Sequence, residues 1–192
     1  MSKAQLPLPL PSNDTMTAPV DDARNPHVRR GVDYWRSVCL QRRFPARGDL
    51  TLRGLATVLP YAVIIGVIDE GADYEFRYVG DAQRQAFKVH FKGLRLTQIT
   101  AAAPELGTLL RGAYEFVRST GTAFVVRGRV DHEPADSKFL YHESAFLPLG
   151  ATDASVDHLL IVGVQIPTPF WEIPTDKLTT LADQSRQQTA TA

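Results

Sequence analysis

The chain has 192 residues, 44% hydrophobic and 22% charged, with 21 basic residues balanced by 21 acidic ones. That suits one globular domain with tails, and the neutral whole singles out neither nucleic acid nor an acidic surface as partner. A lone cysteine, Cys39, excludes an internal disulfide and any multi-cysteine zinc or iron–sulfur centre, and the longest apolar run, Ala62 to Ile68, is far short of the ~20 residues of a membrane helix, so the expected location is cytoplasmic.

Residues 1–25 carry prolines 7, 9, 11 and 19 among Ser, Thr, Asn and Asp, without periodic apolar residues, and are expected to be a disordered tail. Order is expected from Asn25 and Pro26, where Asn can cap a helix and Pro fits its first position. That helix is expected to run to Arg42, with Val28, Val32, Trp35 and Cys39 on one stripe and Arg29, Arg36 and Arg43 on a neighbouring one, until Phe44-Pro45 ends it. A second short helix is expected over Leu50 to Thr57.

The β-branched run Pro60 to Asp69 reads as a strand covered on both faces. Gly71 to Asp73 supplies a turn, and Tyr74 to Val79 alternates aromatic with charged residues, which makes the pair a hairpin. Short helical turns follow through Phe87 and His90 and break at Gly93. Pro104 to Ser119 places Leu106, Leu109, Leu110, Ala113, Phe116 and Val117 at helical spacing, and is the clearest amphipathic helix in the chain. Three further strands are expected at Thr122 to His132, Lys138 to Leu149 and Val156 to Gln165. If Glu133 opposes Lys138, then Arg129 opposes His142. Phe124, Val126, Val130, Tyr141, Ala145 and Leu147 would then face the core, opposite Val125, Arg127, Arg129, His142, Ser144 and Phe146.

Two strands, short helices, one longer helix and three antiparallel strands are preceded by an extra helix. With Tyr34-Trp35, Arg43, Pro45, Arg47, Asp49, Leu59-Pro60, Phe76 to Gly80, Gly93-Leu94 and Pro148-Leu149, the chain from Val32 to Gln165 resembles the stand-alone PAS-like sensor domains of alphaproteobacteria. One departure is Thr51-Leu52, where that family tends to carry a proline. The resemblance implies an α+β fold with a five-stranded antiparallel sheet, short helices and one longer helix on one face, and a capping helix at the front. The boundaries follow as a tail at 1–25, capping helix and connector at 26–48, PAS-like domain at 49–166 and a second tail at 167–192.

The function it implies is non-catalytic signalling by ligand or partner binding. The expected ligand pocket, between the Pro104 helix and the sheet, is lined by Phe76, Tyr78, Leu110, Ala113, Phe116, Val126, Tyr141 and Ala145. No cofactor is expected: haem in such domains hangs from a histidine on the long helix, which has none here, and flavin photochemistry needs a cysteine after the second strand, whereas Cys39 precedes the first. An unidentified small molecule is the expected ligand class.

Catalytic and metal motifs are absent. His27, His90, His132, His142 and His158 form no pair at metal spacing, and no Gly-x-Ser-x-Gly elbow surrounds any serine. An alternative reading is a small α+β cavity enzyme with buried acid–base residues, disfavoured because the helices lie between strand pairs rather than before them. Arg43 and Arg47 at four-residue spacing also resemble the phosphate grip of some cyclic-dinucleotide receptors, though without its companion segment.

Charge is uneven: His27 to Arg53 holds seven arginines against Asp33 and Asp49, while residues 131–192 hold nine acids against three bases. Val28, Val32, Trp35, Arg36, Arg43 and Arg47 are the expected interaction surface, for homodimerisation or for a protein partner in a signalling pathway. Nucleic acid is disfavoured by the single basic stripe and the neutral whole. Phe170-Trp171 in the second tail reads as a clasp or a partner anchor.

Overall fold

A computed structural model describes residues 15–87, 91–129 and 139–167. The elements are β1 (Thr15–Pro19), α1 (Pro26–Cys39), α2 (Leu52–Leu55), β2 (Ala62–Ile68), β3 (Asp73–Val79), α3 (Asp81–Phe87), α4 (Leu96–Ala102), α5 (Pro104–Thr120), β4 (Phe124–Arg129), β5 (Phe139–Leu149) and β6 (His158–Pro167). The strands form one antiparallel sheet in the order β1-β4-β5-β6-β2-β3.

The sheet thus has six strands rather than five. The extra one, β1, lies in the stretch expected to lack structure and pairs along β4 from Thr15 opposite Gly128 to Pro19 opposite Phe124. Only Met16 and Ala18 are apolar in it, too few for a pattern; the edge of β4 supplies the reason for its order. Pro19 closes it at a strand end, where a missing N–H costs no ladder bond.

Asn25 starts α1 as expected, its side-chain oxygen accepting the His27 N–H at 2.9 Å. The helix stops at Cys39 instead of Arg42, because Leu40 turns to φ 53° and the chain swings Arg42 onto the carbonyl of Gly150, 2.7 Å away. The short second helix is a 3₁₀ turn at Arg47–Asp49 followed by α2, capped by the Thr51 hydroxyl on the Gly54 N–H at 3.1 Å. α4 was not legible in advance. Its first turn is held from β3: the buried Asp73 carboxylate accepts the Thr97 hydroxyl at 2.7 Å and the Thr97 N–H at 3.3 Å.

The β4–β5 register differs from expectation by one residue. Gly128, not Arg129, lies opposite His142, and Arg129 lies opposite Tyr141. A one-residue slip exchanges the faces of one strand, so Phe124 and Val126 share a face with Ser144 and Phe146, while Tyr141, Ala145 and Leu147 share the other with Val125 and Arg127. Two packings select this register. Phe124 stacks flat on Phe146, with ring centroids 4.9 Å apart, and Ala145 and Leu147 are completely buried on the opposite side. Val130, expected beside them, lies outside the described residues, as do His90, His132 and the Phe170-Trp171 tail.

The face bearing Phe124 and Phe146 is the inner one, roofed by α5 through Ala113, Tyr114 and Val117. The outer face is covered by α1. Val28, Val32 and Trp35 are buried there, and Gly31 sits so close to Val162 that a Cβ would come within 2.6 Å of its Cγ2. Trp35 donates its indole N–H to the Pro148 carbonyl at 2.9 Å. At about 1.5–3 kcal/mol for each large side chain removed from water, this seam is a main source of order in the outer layer.

Candidate functional site

The inner face changes character along the strands. Next to the Phe124–Phe146 pair, aromatic contacts run on through Tyr114 to Tyr74 (5.3 Å) and Phe76 (6.5 Å), and from Phe76 to Phe91 (5.4 Å). Two rows toward the far end of β6, the same face is small and polar. Pairing aligns Val126 with Ser144 and Gly163, then Gly128 with His142 and Gln165.

Above Gly163, three polar atoms converge: a Cβ there would stand 2.6 Å from Ser144 Oγ, 3.2 Å from Gln83 Nε2 and 3.4 Å from Gln165 Nε2. Gln83, buried on α3, is a brace whose side-chain nitrogen donates to the carbonyls of Gly163 at 2.5 Å and Tyr61 at 3.1 Å. Ser144, His142 and Gln165 are half-buried and their side chains make no hydrogen bond. Burial pushes the His142 imidazole below its ordinary range, so it is neutral at pH 7. The lining therefore offers uncharged donors and acceptors and no formal charge.

Of the expected pocket residues, Phe76, Ala113, Phe116 and Val126 belong to the inner layer, and Leu110 is half-buried on α5. Tyr78 turns its hydroxyl to the Leu59 carbonyl at 3.2 Å, and burial followed by the nearby Asp81 carboxylate raises its pKa. Tyr141 and Ala145 are corrected to the outer face by the register described above. Gln83, Ser144, Gly163 and Gln165 were missed. Period-two reading of β6 alone puts Gly163 and Gln165 on one face, and that was the available signal.

On the outer face Tyr141 belongs to a latch. Glu143, with no exposed surface, accepts the N–H groups of Arg24 and Asn25 on Oε1 at 2.8 and 3.0 Å and the Tyr141 hydroxyl on Oε2 at 2.5 Å. Burial and this bond push the Tyr141 pKa up to about 12. Arg127, also buried and opposite Glu143 in the ladder, donates to the Asp22 carbonyl at 2.5 Å. Two buried charges thereby strap residues 22–25, and with them the start of α1, onto the sheet. These bonds offset part of the cost of burying the two groups, while Arg127 Nε is left buried without a partner.

The expected interaction surface is divided by the fold. Val28, Val32 and Trp35 are buried against the chain's own sheet, which removes them from any exposed dimer face. Arg36 pairs with Asp21, and Arg43 reaches the Thr120 carbonyl while its backbone N–H meets Asp153 at 3.2 Å. Arg47 stands exposed and unpaired on its turn, so Arg43 and Arg47 form no joint grip. The connector is pinned instead by Arg42, which meets Asp49 at 3.4 Å and Asp153 at 3.7 Å. Cys39 is half-buried, donates its thiol to the Trp35 carbonyl at 3.2 Å, and has its pKa raised by burial.

Among the described residues no group of three or more His, Cys, Asp or Glu could hold a metal ion, and no helix is long and apolar enough to cross a membrane. The architecture so far is an antiparallel sheet with helices on both faces, in the element order that the PAS resemblance implies plus one amino-terminal strand. No protein-family model and no curated protein matches the chain. Among solved structures it is similar to an RNA-binding light-oxygen-voltage receptor, with 18% identity and a TM-score of 0.37 over 94% of this chain and 46% of that one. The chain spans less than half of that receptor, and a likeness at this level transfers no residue role.

Proposed function

We propose that this chain is a non-catalytic signalling module on a PAS-like domain, which takes a small, neutral, hydrogen-bonding molecule on its inner face and reports it through the seating of α1. The observation that carries the reading is the shared inner-face position of Ser144, His142 and Gln165, their side chains uncharged and unbonded, with Ser144 and Gln165 crowding over Gly163 and His142 opposite Gly128. These side chains have no partner among the described residues and remain open to bond a bound molecule. A molecule with an apolar body for the aromatic rows and one polar edge for these three groups satisfies both.

The route outward is short. Successive residues of a strand point to opposite faces, so Ser144 on the inner face is flanked by Glu143 and Ala145 on the outer one. A ligand that moves β5 at Ser144 moves the carboxylate that holds Arg24 and Asn25. The output is a change in how α1 sits, read by a second protein.

Native mass spectrometry of the full chain purified from its own host tests this. The expected spectrum carries a small-molecule adduct that Ser144→Leu and Gly163→Val abolish while the fold, followed by circular dichroism, persists. An adduct indifferent to both substitutions, or bare protein whose melting is unmoved by the host's small-molecule extract, refutes it; ligand at 100 times its Kd stabilises by ~2.7 kcal/mol and cannot be missed.

A further inference from the structure

We infer that the corner between the end of α1 and α2 is a docking surface for an acidic, leucine-bearing segment of a partner protein. This stands apart from the ligand reading, since it uses no residue of the inner face.

The corner is rigid. Tyr34 on α1 accepts the Thr51 N–H on its hydroxyl at 2.8 Å, and Gly54 lies against the Tyr34 ring so closely that no side chain fits between them. Asp49 ties the connector by accepting the Ala46 N–H at 2.8 Å and the Arg42 guanidinium at 3.4 Å. On this platform Leu40 is 86% exposed and Leu52 75% exposed, while Val28, Val32 and Trp35 of α1's apolar stripe are buried and Cys39 is half-buried. Leu40 lies six residues beyond Tyr34, about 9 Å along the helix, and Leu52 follows Thr51 directly.

Leu40 also holds φ 53° and ψ −117°, a conformation a branched side chain rarely adopts. A strained, solvent-facing leucine is what a binding point retains and a mere turn replaces by glycine.

Charge decides the kind of partner. Arg47 on the connector and Arg53, next to Leu52, are exposed with guanidinium groups that have no hydrogen-bond or carboxylate partner among the described residues, and on α1 the exposed Arg29 and Arg30 outnumber the exposed Asp33. The acid nearest Arg47, Asp49, is already engaged by Arg42. Carboxylates on the partner neutralise these arginines while its leucines cover Leu40 and Leu52. Nucleic acid would answer the arginines and leave both leucines in water, and two leucines are too little apolar surface to seat a helix in a bilayer.

A photoreactive benzoylphenylalanine placed at position 40 or 52 of the full chain, expressed in its host and irradiated, tests the assignment, with position 70 in the turn between β2 and β3 as control. The expected product is a covalent adduct at 40 and 52 but not at 70, whose partner peptide is acidic and contains leucine. Arg47→Glu with Arg53→Glu should lower its yield ~tenfold or more by setting like charges against each other. An adduct to nucleic acid, to lipid or to a second copy of this chain, or no adduct specific to positions 40 and 52, overturns the proposal. Arg47→Gln with Arg53→Gln, which repels nothing, should lower the yield less, and an equal yield for all three proteins also overturns it.

Discussion

Glu143→Ala is the sharpest test of the outer latch. The substitution leaves the Arg24 and Asn25 N–H groups and the Tyr141 hydroxyl without their acceptor, three bonds to one carboxylate with no exposed surface. Each hydrogen bond to a charged group contributes about 1.5–3 kcal/mol. Arg24 and Asn25 are not fully buried, so water recovers part of the loss, and the net expectation is ~3–5 kcal/mol, the range for breaking one side of a buried charged contact. With a urea m-value of ~1–3 kcal/mol/M, the midpoint falls by about 2 M. Glu143→Gln keeps an oxygen for the two N–H groups and should cost only ~1 kcal/mol. Amide exchange at Arg24 and Asn25 should accelerate in the alanine variant before any change in β2 or β6. An alanine variant within ~1 kcal/mol of the parent, or one no worse than glutamine, would show that residues 22–25 are held by something else.

Three further outcomes follow from individual contacts. Gly31→Ala gains up to ~1 kcal/mol of helix propensity but pushes a methyl to 2.6 Å from Val162 Cγ2, so a net loss of ~1–3 kcal/mol is expected in chemical denaturation, relieved when Val162→Ala is added. Burial opposes ionisation of Asp73, but its bonds from Thr97 and the Tyr74 N–H outweigh that and lower its pKa, so its contribution is complete above the ordinary carboxylate range and is lost as pH falls through the lowered value. Melting curves of the parent and Asp73→Asn should therefore differ at pH 7 and converge in acid, and a constant gap across that window refutes the reasoning. Leu40→Gly relieves the φ of 53° on an exposed residue and should raise stability by roughly 0.5–1 kcal/mol in thermal melts, whereas a loss would mean that Leu40 is held by contacts its 86% exposure does not suggest.

What was legible in the chain follows the strength of local signal. α1 and α5 carry clear apolar stripes, and β2, β3 and β6 are β-branched or alternating, so their identity and order could be read from the residues. β1 could not, because its order comes from a neighbour's edge rather than from its own side chains. α4 escaped because a two-turn helix shows only Leu96 and Ile99 to the core, and its cap, Asp73, lies on another element. The register error at Arg129 had larger consequences, since a single residue moved Tyr141 and Ala145 from the inner layer to the outer and brought Ser144 inward. The polar patch was hidden for the same reason: Gly128, Ser144 and Gln165 mean nothing singly and share a face only when three strands are correctly aligned.

Arg127 and Glu143 occupy opposed ladder positions beneath the same short strap, each gripping different backbone groups of it. A purely greasy seam tolerates sliding, since one aliphatic contact replaces another at small penalty. Here a shift of even one residue would pull the strap's N–H groups off Glu143 and its carbonyl off Arg127 together, so losing one contact brings the loss of the other. Polar bonds with fixed partners, and not apolar contact alone, thus set where the helix begins on the sheet.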